Sequence, residues 1–172
     1  PSGEQYYVDF QDAVVRVLDS QNNLMREIGG PGEGPGEFRR RTNIAADWDL
    51  DVIYVFDPPS RRISQFDSQG DFQESYRFVG DMPDVRDLIA LGSKRFLVAG
   101  VSVLGHSGYG LHIYEVASGG AELEHVKSFA ETIDLSPQLY VQVGGGRAAI
   151  DSDNTIPYTQ STPYSPRKHS LD

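Results

Sequence analysis

The sequence predicts an all-β protein assembled from repeated four-stranded antiparallel units. Two observations carry this. Short alternating runs, Tyr54–Asp57, Ile63–Phe66 and Phe72–Phe78, are divided by turn-forming groups such as Asp67-Ser68-Gln69-Gly70, the punctuation of a sheet protein. The pattern also recurs upstream. Asp19-Ser20-Gln21-Asn22 precedes that turn by 48 positions, and at the same offset Tyr6 meets Tyr54, Asp9 meets Asp57, Val15 meets Ile63, Leu18 meets Phe66 and Leu24 meets Phe72. A fixed period in this range marks a repeat architecture built from one supersecondary unit.

A four-stranded unit of that length is the size of a β-propeller blade. Numbering strands a to d from the central channel outward, Glu4–Asp9, Ala13–Asp19 and Leu24–Ile28 are strands b, c and d of a first blade. Asn43–Asp47, Val52–Asp57, Ile63–Phe66 and Phe72–Phe78 make a whole second blade. Val85–Leu91, Arg95–Ala99, Gly110–Val116 and Glu122–Phe129 make a third. Leu139–Val143 or Arg147–Ile150, then Thr155–Thr159 and Arg167–Ser170, give three strands of a fourth. The chain then reads as one propeller segment, 1–172, with a partial blade at 1–29, blades at 30–80 and 81–130, and a partial blade at 131–172. Dividing 172 residues by the period leaves about 3.6 blades, whereas propellers close with about 4–8. The expectation is a partial propeller that needs another chain or a missing half to close, because open sheet edges and apolar blade faces are otherwise left to water.

GPGEF at 34–38, IYVFD at 53–57, RRISQFD at 61–67 and the closing Gly70 resemble an NHL-type repeat. More closely, they resemble blades of secreted bacterial six-bladed propellers. The resemblance covers residues 5–78, is looser over 85–129 and returns at Tyr158–Asp172. It departs from the NHL pattern at Thr42-Asn43, where a Pro and a Gly are usual. The resemblance implies the propeller fold and little about function, since propellers serve as binding platforms, structural modules and enzymes.

Composition narrows the classes. The chain has no cysteine, hence no disulfide framework, thiolate metal site or cysteine nucleophile. A net charge of −10 and a pI near 4.7 oppose binding to nucleic acid or anionic membranes. No run approaches the roughly 18 apolar residues of a membrane span. Pro1-Ser2-Gly3-Glu4 has no charged-then-apolar signal region, which suits a processed secreted chain and equally a cytoplasmic protein or an internal fragment. The resemblance favours an extracytoplasmic location, secreted or periplasmic.

Several motifs invite function. Asp47-Trp48-Asp49-Leu50-Asp51 has alternating acids, but an EF-hand loop requires Gly and Glu where this chain has Val52 and Pro58, so a polar turn is expected. Gly29–Gly36 matches no nucleotide-binding fingerprint and carries Glu33, with Glu37 directly after it, so it reads as a connector between blades. Arg61-Arg62 is expected to pair with Asp57 and tie strand b to strand c. Arg39, Arg40 and Arg41 form the basic run, placed where the chain enters strand a. They read either as an anion-binding rim, for which the planar guanidinium is suited, or as partners of neighbouring acids. His106, in a long loop between strands b and c, and Tyr109 and Tyr158 beside such loops share the face of the d–a connectors. With Asn43 they complete the candidate ligand-binding set: Arg39, Arg40, Arg41, Asn43, His106, Tyr109 and Tyr158. His112 and His169 read as packing residues. Tyr54, Phe56, Ile63, Phe66 and Phe72 are expected in the core, with Phe96 and Phe129.

No nucleophile–base pair and no metal-ligand spacing emerges, so no catalytic residue, metal or cofactor is expected. The favoured expectation is a non-catalytic binding or scaffolding module that takes a protein or a small polar or anionic ligand on its loop face. A metal-dependent hydrolase or lyase is the alternative implied by the resemblance, with Asn43, Asp47 and Asp87 as the acids and amides of strand a. A structural subunit associating through open blades is the third.

Overall fold

The computed structural model of the chain describes residues 3–39, 43–101, 108–131, 146–149, 155–160 and 167–170. Every element among them is a strand: β1 Gln5–Asp9, β2 Val14–Leu18, β3 Leu24–Ile28, β4 Asn43–Asp47, β5 Val52–Asp57, β6 Arg62–Asp67, β7 Phe72–Phe78, β8 Asp84–Ala90, β9 Arg95–Val101, β10 Tyr109–Val116, β11 Glu122–Glu131, β12 Gly146–Ala148, β13 Thr155–Gln160 and β14 Arg167–Ser170. The expected strand at Leu139–Val143 lies outside the described residues. The chain divides into two compact units, Pro1–Arg77 and Phe78–Asp172.

In the first unit β1, β2 and β3 form one antiparallel meander, and β4, β5, β6 and β7 form a second. The turns after β2 and β6 are built alike. Asp19 Oδ1 accepts the backbone N–H groups of Gln21 and Asn23 at 2.8 and 2.9 Å. Asp67 Oδ1 accepts those of Gln69 and Asp71 at 3.0 and 2.9 Å. Asp is favoured in such turns because its carboxylate replaces a backbone acceptor.

Period-two alternation sends one face of each meander into a shared core of Val15, Val17, Ile28, Phe38, Ile53, Val55 and Phe66, with Tyr6, Val8, Ile44 and Ala46 packed against it. β5 is buried at every position, so its second face is covered as well. Tyr54, Phe56 and Ile63 are buried as expected. Phe72 is not: it is 36% exposed. It opens β7 beside a register shift, its ring edge-on to Phe66 at 5.9 Å, so it covers Phe66 with one side and meets water with the other. Trp48 is 67% exposed on its turn.

In the second unit β8, β9, β10 and β11 pair antiparallel in chain order, and β12, β13 and β14 do the same. Their core joins Leu97, Ala99, Leu111, Ile113, Ala130 and Ile156, with Ile89, Leu91 and Phe129 partly buried against it. Phe96 is fully buried.

Two outcomes follow. Phe66, 1% exposed and edge-on to both Phe38 and Phe72, anchors the first core, so Phe66→Ala is expected to cost about 3–5 kcal/mol. A loss under about 1 kcal/mol in denaturant melts would contradict that role. Burial, with Asp47 and Glu74 adding to it, pushes the Tyr54 hydroxyl from 10.0 up to about 12. The unfolded chain therefore releases this proton first. Stability from Tyr54 is complete below pH 10 and is lost as pH rises towards 12. Denaturant midpoints should fall across that window, and less steeply in Tyr54→Phe; equal slopes would contradict the assignment.

Candidate functional site

The site begins with the connector between β3 and β4. The chain doubles back here: Phe38 N–H donates to the Gly30 carbonyl at 2.7 Å and Gly32 N–H donates to the Phe38 carbonyl at 2.9 Å. Pro31 and Phe38 thereby form a short parallel bridge. The Phe38 ring is driven into the core, where it meets Phe66 edge-on at 5.7 Å. Gly29 makes this approach possible. Its φ is +78°, and a Cβ there would stand 2.0 Å from the Phe38 ring, so only glycine is accommodated. Glu37 folds its carboxylate back to accept the Gly34 N–H at 2.8 Å.

Arg62 closes the connector from the neighbouring strand. Its Nη2 donates to the carbonyls of Gly34 at 3.0 Å and Glu37 at 2.7 Å, and Nη1 reaches the Glu33 carbonyl at 3.4 Å. This corrects the expected pairing with Asp57: both Asp57 carboxylate oxygens are buried and accept no hydrogen bond from the described residues. A loop of glycines and prolines turns several carbonyls the same way, and a guanidinium satisfies more of them than a single carboxylate could offer in return.

Beside the clamped connector lies an open cleft of about 410 Å³, lined by Pro31, Gly32, Glu33, Phe38, Arg39 and Pro59. Pro59 comes from the turn between β5 and β6. Arg39 forms an ion pair with Glu33, and both side chains are well exposed, at 44% and 72%. Such a surface pair is weak, so a carboxylate entering the cleft can replace Glu33 on the guanidinium at little cost. The arrangement offers apolar walls and, among the described residues, one exchangeable cation. Neither proline was a candidate on sequence.

The other candidate residues divide as follows. Arg40, Arg41 and His106 lie outside the described residues. Asn43 opens β4, half-buried opposite Phe56, and does not line the cleft. Tyr109 opens β10 in the second unit, opposite Glu131 and 36% exposed. Tyr158 is in β13, its backbone between Ala148 and Arg167. Asp47 ends β4 and builds the polar turn expected of it, accepting the N–H groups of Asp49 and Leu50 at 3.2 Å each. Asp87 lies inside β8. Among the described residues no three acidic or histidine side chains gather as a metal site.

One polar cluster escaped the sequence. His112 is fully buried, and its Nδ1 lies 2.8 Å from Ser128 Oγ, with Nε2 3.2 Å from the Gly100 carbonyl. His125 Nε2 is also 2.8 Å from Ser128 Oγ. A carbonyl only accepts, so His112 carries its proton on Nε2, the serine hydroxyl donates to Nδ1, and His125 donates to the serine. A register shift between Ile113 and Tyr114 brings residues 125 and 128 to one face, which a regular strand would forbid. The hydroxyl is thus engaged as both donor and acceptor, the mark of a satisfied core network.

Comparison with known proteins bears on the fold. The sequence profile of the family described as 6-bladed beta-propeller matches residues 2–88, just over half of the chain. The chain belongs to the 6-bladed beta-propeller family. Among solved structures, a Bacteroides fragilis protein assigned to export is similar at 14% identity and a TM-score of 0.59, over 96% of this chain and 47% of that one. A virginiamycin B lyase from Staphylococcus aureus is similar at 11% identity and a TM-score of 0.52, over 100% of this chain and 53% of the lyase. A luciferin-regenerating enzyme matches at 14% identity and a TM-score of 0.50, over 86% of this chain and 44% of that one. The chain spans about half the length of these propellers. No curated protein matches the sequence.

Removing the clamp should open the connector. Arg62→Ala is expected to destabilise the chain by about 1.5–3 kcal/mol and to expose Glu33 and Glu37 to a glutamyl-specific protease. Cleavage at the wild-type rate would show that the connector is rigid without Arg62.

Proposed function

We propose that this propeller chain is a non-catalytic binding module, of the NHL-type group, acting outside the cytoplasm and taking a small anionic ligand or an acidic peptide on its loop face. The observation that carries this reading is the cleft of Pro31, Gly32, Glu33, Phe38, Arg39 and Pro59, where Arg39, an exchangeable cation, sits on a connector clamped by Arg62. A wall formed before the ligand arrives lowers the ordering cost of binding, and a guanidinium in a surface pair is available to a carboxylate. The assignment of the similar Bacteroides fragilis protein to export supports the location. The lyase and the regenerating enzyme share the fold, but a fold hosts unrelated functions, so the cleft and not the likeness supports the reading.

Calorimetric titration with succinate and with an oligoglutamate peptide tests it. Saturable binding is expected, weakened at least about tenfold, or 1.4 kcal/mol, in Arg39→Ala. Binding unchanged in that variant would overturn the assignment of the cleft. Ester or lactone hydrolysis that chelation abolishes and calcium restores would overturn the non-catalytic reading.

A further inference from the structure

The two meanders of the first unit repeat closely enough that a side chain out of pattern carries information. β1–β3 and β5–β7 share their pairing at the 48-residue offset: Tyr7 opposite Arg16 and Val55 opposite Ser64, Asp9 opposite Val14 and Asp57 opposite Arg62, Arg16 opposite Glu27 and Ser64 opposite Ser75. Both shift register at the same place, Val17/Leu18 and Gln65/Phe66. Even the left-handed residue just before β2 and β6 recurs, Ala13 at φ 53° and Arg61 at φ 52°.

On this common backbone one seat differs. In the first repeat the Asp9 carboxylate accepts the N–H groups of Gln11 and Asp12 at 2.9 and 3.2 Å and pairs with Arg16. The Arg16 guanidinium also contacts Asp12 and, at 2.9 Å, Glu27. The equivalent residues in the second repeat are Asp57, Pro59, Ser60, Ser64 and Ser75. Pro59 has no N–H to give, Ser64 has no charge, and two acids have become hydroxyls. Asp57 and Ser64 are 0% exposed. Neither carboxylate oxygen of Asp57, nor the hydroxyl of Ser64, has a hydrogen-bond partner among the described residues. Arg62, directly across from Asp57, gives its two Nη groups to the connector carbonyls, and its buried Nε has no hydrogen-bond partner among the described residues.

Burying an ionised carboxylate without a partner is costly, and the first repeat displays what the seat accepts: one positive charge among oxygens. We propose that Asp57 and Ser64 bind a monovalent alkali cation where the first repeat places the Arg16 guanidinium. Charge selects the class. One carboxylate with neutral hydroxyl oxygens balances a single charge, whereas a divalent ion draws on several carboxylates. Full burial selects a bare ion over an organic cation. The two side chains are diagonal cross-strand neighbours, which stand about 7–8 Å apart at the backbone, a gap that a shared ion can bridge from both sides.

Thermal melts of the 172-residue chain in sodium, potassium and tetramethylammonium chloride at one ionic strength test this. The melting temperature is expected to rise saturably, by several degrees, in sodium or potassium over tetramethylammonium. Asp57→Asn removes the carboxylate, and Ser64→Arg supplies the charge internally, so both variants should lose the cation response. Equal melting temperatures for the wild type in all three salts would overturn the proposal. So would a response that persists in either variant; if one variant does not fold, the other decides.

Discussion

A single guanidinium holds the first unit in its working form. Arg62 projects from β6 and collects the carbonyls of Glu33, Gly34 and Glu37, adding to the bond the segment makes within itself, Glu37 N–H to the Gly34 carbonyl at 3.2 Å. The connector so held places Phe38 in the core between the two meanders and sets Pro31 and Arg39 beside Pro59 at the surface. Core and cleft are therefore two sides of one loop. A buried or half-buried charge is tolerated where several acceptors satisfy it, and this loop is built to supply them.

The repeat shows which parts of such a unit are obligatory. Turn-capping acids recur in position and role at Asp19 and Asp67, because each replaces a backbone acceptor that the turn would otherwise lack. Ion pairs do not recur. The Arg16 cluster of the first repeat has no counterpart in the second, and the Arg62 clamp of the second has Val14 as its equivalent in the first. Backbone geometry is thus maintained by hydrogen bonding and apolar alternation. Charged side chains are free to differ from repeat to repeat, and they carry what is particular to each.

This division explains how much was legible in the sequence. Strands β5 to β7 and their turn could be read because alternation, Asp-Ser-Gln-Gly punctuation and a 48-residue echo agree. Arg39 could be placed near a connector, and it lines the cleft there. The partner of Arg62 could not, since a carboxylate five residues away competes in sequence with carbonyls that become neighbours only when the connector folds back. Phe72 was misplaced because a register shift beside Phe66 turns it partly outward, and bulges leave no trace in a binary pattern. The His112–Ser128–His125 network was hidden for the same reason: only the shift near Ile113 brings residues three apart onto one face.

Amide hydrogen exchange of the wild-type chain tests the central claim, that the connector is a clamped structural element rather than a surface loop. The N–H groups of Gly32 and Phe38, which close the doubled-back segment, should exchange as slowly as those of β5, opening only when the first unit unfolds. Exchange at these two amides on the fast scale of an exposed loop, with β5 still protected, would contradict the account.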